Sequence, residues 1–184
     1  MLFTFVSFVA SNPRESLPIL VAFYALLSFF VWIAHRKDRE SQVSSIGDVL
    51  TFTLIGSACF HVLTVLFGAP FFEYVKLTFL YSMLLSVLTV TPASVLLGHN
   101  SQGWIRIFLK TNPRTRSECI LLGQCCCTLL GTWLGAAAIP LDWERPWQVW
   151  PIPCVLGACA GHLIGLGAGL AVWILYGKRK HLID

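Results

Sequence analysis

The stretch that decides the fold is Ile152-Pro-Cys-Val-Leu-Gly-Ala-Cys-Ala-Gly-His-Leu-Ile-Gly-Leu-Gly-Ala-Gly-Leu-Ala-Val-Trp-Ile-Leu-Tyr176, 25 residues without a formal charge. At about 1.5 Å per residue, a helix of that length exceeds the ~30 Å hydrocarbon core of a bilayer. Four charge-free runs of the same kind precede it, at 17–34, 49–72, 77–97 and 119–139. Together the five runs hold 109 of the 184 residues. The rest of the composition agrees. Apolar residues make up 56% of the chain and charged residues 12%, half of the roughly 25% charge of a soluble domain. Mean hydropathy is +0.72. A disordered chain, a disulfide-stapled secreted module and an ordinary soluble enzyme are all poor matches to these values. The expected fold is an all-α polytopic membrane protein. It would be a bundle of five transmembrane helices plus a short apolar stub at residues 1–10, forming one integral membrane domain over 1–184. The longest connection, 98–118, is too short to hold a soluble catalytic fold.

The few charges are informative by position. Basic residues count 1, 3, 1, 4, 1 and 3 along the successive non-membrane segments: Arg14; Arg36, Lys37 and Arg39; Lys76; Arg106, Lys110, Arg114 and Arg116; Arg145; Lys178, Arg179 and Lys180. Basic residues gather on the cytosolic side of membrane proteins. The N-terminus and the loops 73–76 and 140–151 are therefore expected on the non-cytosolic side, and the C-terminus in the cytosol. The net charge of +4 is too small and too dispersed for nucleic-acid binding. In the long cytosolic loop, Ile105, Phe108 and Leu109 share one face of a candidate interfacial helix, with Arg106 and Lys110 on another. A plain tether is the other reading of that segment.

The last two runs carry small residues every fourth position: Gly123, Cys127, Gly131 and Gly135 in one, Gly157, Gly161, Gly165 and Gly169 in the other. Membrane helices approach closely where side chains are missing. The stripes either pack on each other or dock a partner's span. Between them lies Ile139-Pro-Leu-Asp-Trp-Glu-Arg-Pro-Trp-Gln-Val-Trp-Pro151. Trp143, Trp147 and Trp150 would sit at headgroup level as an aromatic belt, or meet a partner or lipid headgroups together with Arg145. Asp142 and Glu144 would share one face of an extended chain, but no neighbouring His or further carboxylate completes a metal or acid–base set. Seven cysteines, four of them close together at 119 and 125–127, read as packing residues rather than a disulfide framework. His61 and His162 lie within spans and read as histidines bonded to neighbouring helices. Counted from the span ends, both lie about 15–16 Å deep and could meet. Glu73 and Lys76 read as a solvated pair at a span boundary.

The stretch Gly131-Thr-Trp-Leu-Gly-Ala-Ala-Ala-Ile-Pro-Leu-Asp-Trp-Glu-Arg-Pro-Trp-Gln-Val-Trp-Pro-Ile-Pro-Cys-Val-Leu-Gly157 resembles the signature of the PIG-F family, small membrane subunits of glycosylphosphatidylinositol (GPI) ethanolamine phosphate transferase. Phe60-His-Val-Leu-Thr-Val-Leu-Phe-Gly-Ala-Pro-Phe-Phe-Glu73 and the run 77–98 with Thr91-Pro92 look like the same family. The resemblance covers 46–176 and is loose before that, where an extra family span is reduced to residues 1–10. It implies an endoplasmic reticulum protein that is not an enzyme itself. Such a subunit binds and stabilises catalytic subunits in GPI-anchor biosynthesis, and those partners bring the metal, so no cofactor is expected in this chain. Membrane lipids, phosphatidylethanolamine or the GPI precursor among them, are the other implied contacts. Two rival functions are an intramembrane phosphoethanolamine transferase using Asp142, Glu144 and His162, and a lipid transporter or scramblase feeding a lumenal site.

Overall fold

The computed structural model describes residues 11–38, 45–70, 72–141 and 143–180; the expected stub at 1–10 lies outside them. Among the described residues, five helices are long and apolar enough to cross a membrane: α1 (Pro13–Asp38), α2 (Ile46–Leu66), α3 (Val75–Leu97), α5 (Arg116–Ala136) and α6 (Ile152–Lys180). Between α3 and α5 lie a single turn, α4 (Ser101–Trp104), and a π-helical turn, Ile105–Leu109. No strand occurs among the described residues.

Local chemistry sets the helix ends. Ser45 and Thr115 open α2 and α5 with reciprocal capping boxes to Asp48 and Glu118, which satisfy backbone donors that a helix start leaves free. The second span ends earlier than hydropathy suggests. Phe67 closes α2, Gly68 follows at φ +101°, and Pro70 prevents resumption of the helix. The apolar residues Phe67, Ala69, Pro70 and Phe72 therefore lie beyond the membrane helix, in the connection. Pro92 does not break α3, which continues to Leu97.

α3 is the hub, 72% buried along its most apolar window, against 17–39% for the other four. Leu84, Leu85 and Leu88 of α3 pack with Leu17, Leu20 and Val21 of α1 and with Val155, Ala158 and Cys159 of α6. Toward α2, α3 presents hydroxyls. Ser86 Oγ donates to the Thr53 carbonyl at 2.7 Å, and the Thr53 and Thr91 hydroxyls lie 2.8 Å apart. Gly56 makes this contact possible, since a Cβ there would reach to 2.5 Å from Ser86 Oγ and 2.8 Å from Val90 Cγ2. A bilayer supplies no water to such groups, so each needs a partner inside the protein.

The two small-residue stripes face each other. A Cβ at Gly131 would overlap the Gly157 carbonyl oxygen, one at Gly135 that of Pro153, and one at Gly161 that of Cys127. At Gly165 and Gly169 it would lie 2.5 Å from the Cα atoms of Gln124 and Ile120. α5 and α6 are thus in backbone contact along their length. Of the two readings of Gly131, Gly135, Gly157, Gly161, Gly165 and Gly169, the structure has the packing of the stripes on each other, with the facing backbone filling the space where a partner's span would dock.

The segment after α4 also differs from the amphipathic helix expected there. In the π turn, Lys110 N–H donates to the Ile105 carbonyl, an i to i+5 bond. The wider turn rotates the side chains. Ile107, outside the expected stripe, is fully buried among Ala93, Leu97, Leu121 and Cys125, and Phe108 packs beside it. Leu109, within the expected stripe, is 78% exposed.

Candidate functional site

The start of α1, the α2–α3 connection and the α5–α6 loop meet at one end of the bundle. In that loop, Ile139–Leu141 and Pro146–Gln148 form single 3-10 turns. Trp150 Nε1 donates to Thr78 Oγ1 on α3 at 3.0 Å, and its ring meets Tyr81 edge-on at 5.5 Å. Gln148 bridges the loop, accepting from Arg145 N–H and donating to the Ala138 carbonyl. Trp147 packs on the main core and meets Trp143 edge-on. Prolines and these bonds hold the loop in one shape over α3, α5 and α6.

The three tryptophans thus divide by role, which their spacing alone does not show. Trp150 and Trp147 anchor the loop inward, and Trp143 is 55% exposed. Glu144 and Arg145 are exposed beside it. Glu144 has φ +52°, so the chain here is not extended, and the shared face expected for Asp142 and Glu144 does not follow. Asp142 itself lies outside the described residues. Trp143, Glu144 and Arg145 are left as a small exposed ledge carrying an aromatic ring and both signs of charge.

At the same end of the bundle, Arg14, Glu73, Tyr74 and Lys76 line a cleft of about 630 Å³ between the starts of α1 and α3. Glu73 and Lys76 form no ion pair with each other or with Arg14. The expected boundary pair is therefore replaced by separate charges around a shared space. The sequence put Glu73 and Lys76 at one span boundary, but neither the cleft nor the joining of Arg14 to it was legible there.

The intramembrane histidines have different partners. His162 on α6 has Nδ1 3.4 Å from Thr128 Oγ1 and meets the Tyr24 ring edge-on. His61 on α2 meets Phe79 edge-on, and its buried Nδ1 has no hydrogen-bond partner. The expectation that both are bonded fails for His61. Their equal depth also fails, because α2 ends only five residues beyond His61 and not eleven. Cys119, Cys125, Cys154 and Cys159 are buried free thiols. No group of three or more His, Cys, Asp or Glu suited to a metal occurs among the described residues.

The opposite end is pinned by ions. Arg106 makes a two-pronged pair with Glu118, Nη2–Oε1 at 2.6 Å and Nη1–Oε2 at 2.8 Å, and Glu118 also accepts from the Arg114 and Thr115 N–H groups. The hydrogen bonds that Arg106 donates to Glu118 raise the guanidinium above its ordinary pKa. His99 Nε2 lies 3.2 Å from Asp48 Oδ1, tying the α3–α4 corner to the start of α2. Sequence reading missed both contacts, although Thr115-x-x-Glu118 and Ser45-x-x-Asp48 are capping-box patterns.

Comparison with known proteins gives this architecture a lineage. A human protein named "GPI ethanolamine phosphate transferase, stabilizing subunit" is 38% identical over 171 residues, covering 89% of this chain and 77% of the relative. The mouse protein of the same name is 41% identical over 164 residues, covering 85% and 73%. A fungal relative from Pyricularia oryzae, "Glycosylphosphatidylinositol anchor biosynthesis protein 11", is 41% identical over 178 residues, covering 88% and 66%. No solved structure matches. A family model described as "GPI biosynthesis protein family Pig-F" matches residues 1–170, which extends the likeness through the N-terminal region where the quoted motifs were loose. The chain, whose described residues form a bundle of five apolar helices with a Trp-anchored loop, belongs to the PIG-F family of GPI biosynthesis proteins.

Proposed function

We propose that this chain is the non-catalytic stabilising subunit of a GPI ethanolamine phosphate transferase in the endoplasmic reticulum membrane. Its N-terminus and α5–α6 loop face the lumen, and its C-terminus faces the cytosol. It holds no cofactor of its own; the catalytic subunit carries the metal. The observation that carries the assignment is the name of its relatives, to which the chain is 38–41% identical over most of its length. The geometry gives that role a physical form. The two glycine stripes and α3 are consumed by internal packing, so the chain has a fixed shape before any partner arrives. The ledge of Trp143, Glu144 and Arg145, backed by the Trp150 anchor, then meets the lumenal part of the catalytic subunit with little ordering cost. The exposed apolar flanks of α1 and α2 face lipid or the partner's spans.

Co-purification tests the contact. Trp143→Ala with Arg145→Glu is expected to lose the catalytic subunit and to fail to restore GPI-anchored proteins at the surface of deficient cells. The bundle itself should unfold at the wild-type temperature. Wild-type association by this variant would remove the ledge from the interface. Transfer of ethanolamine phosphate by the purified subunit alone would overturn the non-catalytic role.

A further inference from the structure

The cleft between the starts of α1 and α3 is used by none of the packing described above, and its lining is specific. Leu77 and Leu80 supply an apolar wall, with Leu77 buried in the main core. Arg14, Lys76, Glu73 and Tyr74 supply the rim. The rim lies at the ends of two helices that cross the apolar layer, where a membrane meets water. Its two cations and one carboxylate make no ion pairs with one another. Tyr74, between Glu73 and the first residue of α3, is held at φ +57°. Backbone in that region is costly for a residue with a side chain, and such strain gathers at ligand sites. The volume of about 630 Å³ lies in the range of small-molecule sites.

From this arrangement we infer that the cleft binds the zwitterionic headgroup of a membrane phospholipid. The phosphodiester lies against Arg14 and Lys76, the ammonium against Glu73 and the Tyr74 ring, and the acyl chains run along Leu77 and Leu80. Arginine and lysine are the side chains suited to phosphate. A carboxylate in the same rim disfavours a purely anionic ligand and suits one that carries a cation next to its phosphate. The aromatic face adds attraction for an ammonium. The apolar wall selects a lipid over a free phosphoester. The site requires only a membrane boundary at this level, so it stands or falls separately from the subunit assignment.

Native mass spectrometry of the full chain, released from nanodiscs holding equal phosphatidylethanolamine and phosphatidylglycerol, reads the site directly. Wild type is expected to retain one phosphatidylethanolamine in preference to phosphatidylglycerol. Arg14→Gln with Lys76→Gln should lower retention about tenfold, the loss of one charged hydrogen bond's worth of affinity. Glu73→Gln, which keeps both cations, should reverse the preference toward phosphatidylglycerol. All three positions are exposed, so the variants should keep the wild-type unfolding temperature. Equal retention by wild type and the double variant would overturn the site. An unchanged lipid preference in Glu73→Gln would overturn the zwitterion assignment. Competition by soluble glycerophosphoethanolamine as strong as by the intact lipid would overturn the lipid as the source.

Discussion

At the scale of single residues, identity matters less than what the neighbouring helix does. Gly161 and Gly167 lie on the same helix and are both glycine, yet a Cβ at Gly161 would overlap the Cys127 carbonyl oxygen, whereas at Gly167 nothing lies within 4 Å. Gly161→Ala is therefore expected to cost about 1–3 kcal/mol through overpacking. Gly167→Ala should be neutral or gain up to about 1 kcal/mol from helix propensity. Equilibrium unfolding in detergent separates the two, and equal effects would show that the stripes do not bear on each other. Trp150 offers a second case. Trp150→Phe keeps a ring beside Tyr81 but removes the donor to the fully buried Thr78, with an expected loss of about 1–3 kcal/mol. Adding Thr78→Val removes the stranded hydroxyl and should recover part of that loss. A double-mutant cycle with no coupling would show that the bond contributes nothing.

At the scale of elements, the segment from α4 to the start of α5 is secured by few but charged contacts. Glu118 joins Arg106 of the π turn to the first turn of its own helix and to the chain between them. Glu118→Gln removes the charge while keeping the shape. About 1.4 kcal/mol of local stability should disappear, so trypsin should cut at Lys110 and Arg114 about tenfold faster. An unchanged cleavage rate would locate the hold on this segment in Ile107 and Phe108 instead. This is also where periodicity misled. It assumes 3.6 residues per turn, and Ile105–Leu109 winds more widely, so the buried residue is Ile107 and not its neighbours in the expected stripe. The second span shows a different failure. Its apolar content continues to residue 72, but Gly68 and Pro70 end the helix, and a hydropathy count is blind to backbone conformation.

At the scale of the whole molecule, antiparallel crossing places the Trp-anchored loop and the headgroup cleft at one end, and the Arg106–Glu118 pair at the other. The orientation proposed above, from the alternation of basic loops, puts the first end in the lumen. Arg145 and Lys110 are both exposed, so cysteines introduced at those two positions test the assignment. In sealed microsomes, an impermeant maleimide should label Lys110→Cys and spare Arg145→Cys until the membrane is opened. The reverse pattern would invert the orientation.

The amino-acid sequence by itself determined the number of spans, the membrane class, the alternation of basic loops and the family motif. These are properties of composition along a line, and a bilayer reads composition along a line. Which helix is the hub, that the glycine stripes meet each other, that Trp150 turns inward while Trp143 stays out, and that Arg14 joins Glu73 and Lys76 were decided only by tertiary structure. Within the apolar layer the lipid-facing and the packed sides of a span are both largely apolar, so hydropathy does not distinguish one from the other. Close steric fit between backbones and the need to pair buried hydroxyls make that choice, and both depend on which helices are brought together.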